Sequence, residues 1–170
     1  MRMPPGLRKL ALVVHITLSV GWMGAIVAVL GTALVGLTHD DEQIVRAVYT
    51  LMASTGRFVL VPFAIGSLLT GVVQSLGTHW GLLRHHWVVA KLAINVLTTA
   101  VLLSYLRTFD TMAARAADPT VPLDQVRTAS PLLHAALALV ALSGATILSV
   151  YKPRGLTRRG WRHRRTLSAG

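Results

Sequence analysis

Residues 10–37, LALVVHITLSVGWMGAIVAVLGTALVGL, contain no charged side chain. About 20 apolar residues, each rising 1.5 Å along a helix, cross a hydrocarbon layer roughly 30 Å thick. This stretch exceeds that length, so the spare residues are expected to tilt the helix or protrude. It is also too long for a signal-peptide core and lacks a small-residue cleavage site, so it reads as a retained helix.

Three further segments share the pattern. Residues 58–77 (FVLVPFAIGSLLTGVVQSLG) and 128–151 (TASPLLHAALALVALSGATILSVY) are uncharged, and 87–106 (WVVAKLAINVLTTAVLLSYL) hold one charge, Lys91. The expected fold is therefore all-α, a polytopic membrane protein built as a four-transmembrane-helix bundle. One domain is expected over 1–153, with a basic tail over 154–170. Only 14% of the 170 residues are charged, against 53% hydrophobic, with mean hydropathy +0.58. A soluble domain carries about 25% charge, so a soluble enzyme, a coiled coil and a disordered chain are excluded. The absence of cysteine excludes disulfides, thiolate catalysis and iron–sulfur clusters.

Charge placement sets an expected orientation. Arg2, Arg8, Lys9, Arg84, Lys152, Arg154, Arg158, Arg159, Arg162, Arg164 and Arg165 fall on one side of the bundle. The opposite loops hold Arg46, Arg107, Arg115 and Arg127, with all six acids. Basic residues stay cytoplasmic, so both termini are expected in the cytoplasm. The tail then meets anionic lipid headgroups rather than nucleic acid, with Trp80, Trp87 and Trp161 suited to the interfacial belt. Asp40 and Gln43 fit a capping box that opens the second helix well before the membrane, Pro62 should kink the second span, and Arg57 is expected to snorkel outward.

Ionisable groups inside a span are costly and are functional candidates. His15, Ser19 and Trp22 share one helical face, as do Ser67, Thr70 and Gln74, and Trp87, Lys91, Asn95 and Thr98. His15 and Lys91 are expected at similar depth near the terminal side, while His134 enters from the opposite side. A His15–His134 ligand pair would have to bridge most of the bilayer. Each group also has a bland reading: a hydrogen-bonded core histidine for His15, a snorkelling lysine for Lys91, a helix-start residue for His134, helix capping for His39-Asp40-Asp41-Glu42. Gly21, Gly24, Gly66, Gly71, Ala138, Ala141 and Ala145 are expected at close helix contacts.

The strings LTGVVQSLGTHWGLLRHHWVVAK (69–91), LSVYKPRG (148–155) and LVVHITLSVGWMGA (12–25) resemble a family of bacterial integral-membrane proteins without an assigned activity. More distantly, the chain resembles HemJ-type protoporphyrinogen oxidases and CopD-like copper-resistance membrane proteins. In the HemJ type a histidine precedes a tryptophan by seven residues, here His15 and Trp22, and a tryptophan precedes a lysine by four, here Trp87 and Lys91. The HemJ type carries a further histidine near the end of helix 1, whereas here the next is His39, beyond the span. The resemblance implies a bacterial cytoplasmic-membrane protein that holds haem b. His15 would be the axial iron ligand and Lys91 the catalytic or substrate-pairing cation; Trp22, Gln74 and Asn95 would join the cofactor site, and the activity would be that of a membrane oxidoreductase with a porphyrin or redox partner. The alternatives are a CopD-like copper-handling protein using His39 and His134, and a non-catalytic membrane partner subunit whose polar stripes specify packing.

Overall fold

Uncharged apolar runs leave backbone N–H and C=O groups no partner in a bilayer except each other, and helices satisfy that demand within one segment. The computed structural model describes residues 3–77, 82–83, 85–153, 155 and 157, and among them it is all-helical. The helices are α1 (Pro5–Thr38), α2 (Glu42–Thr55), α3 (Val61–Gly77), α4 (His86–Ala117), the single turn α5 (Leu123–Val126) and α6 (Ser130–Tyr151). Four segments are long and apolar enough to cross a membrane: α1, the continuous Glu42–Gly77 rod, α4, and Leu123–Tyr151. Arg2, Trp80, Arg84, Arg154, Trp161 and the other tail arginines lie outside the described residues.

The rods alternate in direction. Gly36 of α1 meets Tyr49, Gly21 meets Phe63, and Gly77 meets Met3, so α1 lies antiparallel to the α2–α3 rod. Helix α4 packs on α2, α3 and α6, and α6 closes the ring against α1, which leaves α1 and α4 diagonally opposed. At Gly21, Gly66 and Gly71 an added Cβ would sit 2.8–3.2 Å from Phe63, Leu18 and His15 respectively, the close approach expected of them. Gly24 does not conform: nothing lies within 4 Å of its Cβ position, and it faces outward.

Proline in a helix lacks an N–H, and its ring collides with the carbonyl four residues back, here Phe58. The rod accommodates Pro62 by widening into a π-helical turn, Gly56–Leu60, in which Val61 N–H reaches Gly56 O. The widened turn brings Gly56 against α4, where a Cβ would lie 2.8 Å from Phe109 Cδ2. Gly56→Leu is expected to lower stability by about 1–3 kcal/mol through overpacking, checked by thermal unfolding in detergent.

Helix α2 starts ahead of its apolar run, as a capping box there implies, whereas the end of α4 extends past its run to Ala117, where the sequence pattern suggests a loop. Val45, Tyr49 and Met52 face Phe109, Met112 and Ala116, all buried, at the i, i+3 or i+4, i+7 spacing of two packed amphipathic helices. Arg57 does not snorkel alone: its Nη2 bonds Asp110 Oδ1 and Oδ2 at 2.9 and 2.8 Å. The α2 cap is Asp41 rather than Asp40, its Oδ1 accepting from Gln43 N at 2.8 Å and Ile44 N at 3.3 Å.

Two arginines staple this end. Arg46 donates to Ala116 O, Asp118 O and Val121 O at 3.3, 2.9 and 2.7 Å. Arg127 donates to Leu37 O and His39 O at 2.7 and 2.6 Å. Each guanidinium thus meets the orphan carbonyls and negative dipole end of a long helix. Hydrogen bonds from the Thr120 hydroxyl and backbone N–H hold the exposed Asp118 carboxyl below the usual carboxylate range. At the opposite end, α6 stops where Lys152 turns left-handed (φ 43°) ahead of Pro153.

Candidate functional site

The buried apolar cluster runs from Trp22, Ala64, Tyr105 and Leu142 toward the stapled loop end. Toward the chain termini the interior is different. Here His15, Ser19, Thr70, Gln74, Lys91, Asn95 and Thr98 lie half-buried, with Ser67 and Thr99 fully buried. The polar stripes therefore occupy one half of the bundle and the tight core occupies the other.

Between α1 and α3 the stripes form a ladder. Gln74 Nε2 donates to Ala11 O at 2.9 Å, His15 Nδ1 meets Thr70 Oγ1 at 3.0 Å, and Ser19 Oγ meets Ser67 Oγ at 2.8 Å. Trp22, one further turn along the same α1 face, is only 2% exposed. Thr70 fixes the state of the histidine. With its single hydroxyl proton on Gly66 O at 2.7 Å, the shortest of its contacts, it accepts from His15. The imidazole proton therefore sits on Nδ1, and Nε2 carries a lone pair. The imidazole also has the Ser67 backbone as a hydrogen-bond partner, and its ring edge lies against Gly71, where a Cβ would stand 3.2 Å from Cε1 and 4.0 Å from Nε2.

The α4 stripe behaves differently. Asn95 Nδ2 donates to Lys91 O at 3.0 Å and Thr98 Oγ1 to Ile94 O at 2.7 Å, both within the helix. Lys91 Nζ lies 5.7 Å from the Trp87 ring centroid, pointing back toward the α4 N-terminus as a snorkelling lysine does. His15, Trp22 and Gln74 thus share one interface, and Lys91 and Asn95 another. No hydrogen bond joins the two sets among the described residues.

No family model, curated protein or solved structure matches the chain. What the site can do rests on its own chemistry. The residues fit haem at one point: a neutral imidazole anchored through Nδ1–H, with its lone pair on Nε2, is the form that ligates iron. They do not gather a metal cluster, since among the described residues no three of His, Asp and Glu come together. His39 Nδ1 accepts from Asp41 N at 3.1 Å, and His134 lies on a different helix beside Ser130.

Sequence reasoning missed Tyr105, Ser130 and Tyr49. Tyr105 Oη bonds Ser130 Oγ at 2.7 Å, and Tyr49 Oη donates to Thr128 O at 3.1 Å while accepting from Thr128 N at 2.9 Å. The signal was present for Tyr105, which continues the Lys91–Asn95–Thr98 stripe by seven residues.

Proposed function

We propose that this chain is a multi-pass protein of the bacterial cytoplasmic membrane that holds haem b through His15, in an electron-carrying or oxidising role. The observation that carries the reading is the His15 imidazole held through Nδ1 by Thr70, whose hydroxyl also bonds Gly66 O. Bound haem would supply one-electron chemistry. The chain's own contribution is to orient the imidazole through Thr70, to exclude water with Trp22, and to offer Lys91 as a cation for a carboxylate of a porphyrin. Gln74 and Asn95 would line the same half. The visible spectrum and metal content of the purified protein test this. A Soret band supports it, and colourless protein from cells supplied with excess haem precursor overturns it.

A second reading has its own observation. The α1–α3 ladder pairs His15, Ser19, Ser67, Thr70 and Gln74 across the helix interface, which is also what a non-catalytic partner subunit needs to set helix register. Colourless protein would favour it. Copper handling through His39 and His134 finds less support, because the two side chains take separate local partners.

The orientation proposed is termini inside. Eleven basic residues lie on the terminal side and four on the other, and two of those four, Arg46 and Arg127, are built into helix caps. Reporter fusions after Gly77 and Gly170 are expected to read cytoplasmic, and fusions after Asp41 and Asp118 external. An external Gly170 fusion would invert the arrangement.

A further inference from the structure

A cavity of about 320 Å³ lies on the loop side of Trp22, which separates it from the His15 ladder. Trp22, Leu60, Tyr105, Phe109, His134 and Ala138 form its walls. It opens sideways between α4 and α6, where the lining residues Leu97 and Leu137 are 66% and 59% exposed. That opening faces the surface the apolar spans present to lipid, so a ligand would enter from the bilayer. The size and the mostly apolar lining with few polar groups are those of a small-molecule site.

The polar corner specifies what enters. His134 Nδ1 meets Ser130 O at 2.8 Å. A carbonyl only accepts, so the imidazole proton sits on Nδ1 and Nε2 is left as an acceptor. Nε2 has no hydrogen bond among the described residues. The Tyr105 ring stacks on the imidazole at 4.2 Å between centroids, and Tyr105 Oη is occupied by Ser130 Oγ at 2.7 Å. Thr98 Oγ1 is spent on Ile94 O. No Lys, Arg, Asp or Glu lines the cavity, so a charged headgroup finds no counter-charge. A ligand must bring one hydrogen-bond donor on an otherwise apolar body. Aromatic rings from Trp22, Tyr105 and Phe109 share the lining with α6, which contributes His134 and the small residues Ala135, Ala138 and Ala141, and such a lining suits a planar ring.

We propose that this cavity binds a membrane-dissolved hydroxyarene, a phenol or hydroquinone head with an apolar tail, whose O–H donates to His134 Nε2. The proposal does not rest on haem or on His15, although Trp22 borders both regions.

The test uses para-octylphenol and its methyl ether, para-octylanisole, titrated into the full chain in phosphatidylcholine nanodiscs and read by the rise in unfolding temperature. The pair differ in the single donor. The phenol is expected to bind at least about tenfold tighter, because the ether leaves a buried acceptor unpaired. His134→Phe, which keeps the ring shape, should bring the phenol down to the ether's affinity. Ala138→Leu, which fills the cavity, should abolish both. Should His134→Phe not fold, Ala138→Leu and the phenol–ether ratio decide. Equal binding of phenol and ether means the cavity takes acyl chains only and overturns the proposal. So does absence of phenol binding, or phenol binding unchanged in Ala138→Leu.

Discussion

His15→Ala protein, purified in detergent from cells supplied with haem precursor, is expected to lack the Soret band carried by the parent chain. The expectation follows from proton accounting. Thr70 Oγ1 gives its proton to Gly66 O and accepts from His15 Nδ1, so removing His15 removes the one imidazole lone pair of the α1–α3 interface. Thr70→Val keeps the imidazole but takes away its anchor, and the loss of such an outer partner costs about 10–100-fold in metal affinity. That variant should show a weaker band that returns with added haem. His15→Ala should still fold, because Ser19–Ser67 and Gln74–Ala11 remain to hold α1 on α3. His134→Phe is the matched control: its imidazole lies at the loop end against Tyr105, and the band should survive. A full band in His15→Ala would place the iron ligand elsewhere.

The sequence made the four spans legible because bilayer thickness imposes a length that uncharged runs announce directly. Residues 10–37 lie inside α1, and 128–151 end where α6 ends. The helical extension beyond the spans was less legible. Arg107, Asp110 and Arg115 mark the end of a hydrophobic run, yet the helix continues to Ala117 because Tyr105, Phe109, Met112 and Ala116 keep helical spacing and pack on α2. A hydropathy threshold sees the charges, whereas the packing depends on which face carries them. The ladder was half visible. Stripes at helical spacing put His15 and Thr70 on the right faces, but no single-sequence pattern states which helix lies opposite which. The register came from close approaches at Gly21, Gly66 and Gly71. Pro62 announced a disturbance, and its form, a π turn rather than a sharp kink, follows from the Phe58 carbonyl needing room. The arginine staples were not legible at all. Arg46 and Arg127 reach carbonyls some 70 to 90 residues distant in sequence, and backbone carbonyls leave no residue-type signature.

Arg46→Met is expected to lower the stability of the detergent-solubilised protein by about 2 kcal/mol, or roughly 4–8 °C in unfolding temperature, without changing the spectrum. The Arg46 side chain is only 15% exposed. Its Nη1 and Nη2 join the last turn of α4 to the following loop through Ala116 O, Asp118 O and Val121 O. These are charged donors on carbonyls that the helix itself cannot satisfy. The pairing with Glu42 at 2.7 Å contributes far less, because Glu42 is 56% exposed and an exposed pair is worth about 0–1 kcal/mol. Glu42→Gln should therefore stay within about 1 kcal/mol of the parent. Arg46→Lys separates charge from geometry: an ammonium keeps the attraction to the helix end but cannot span carbonyls from residues 116 and 121 with one rigid fork. It should recover only part of the loss. The effect should also resist salt, since the partners are carbonyls rather than a solvated anion. If Arg46→Met and Glu42→Gln destabilise equally, the Arg46–Glu42 ion pair rather than the carbonyl fork holds the loop end.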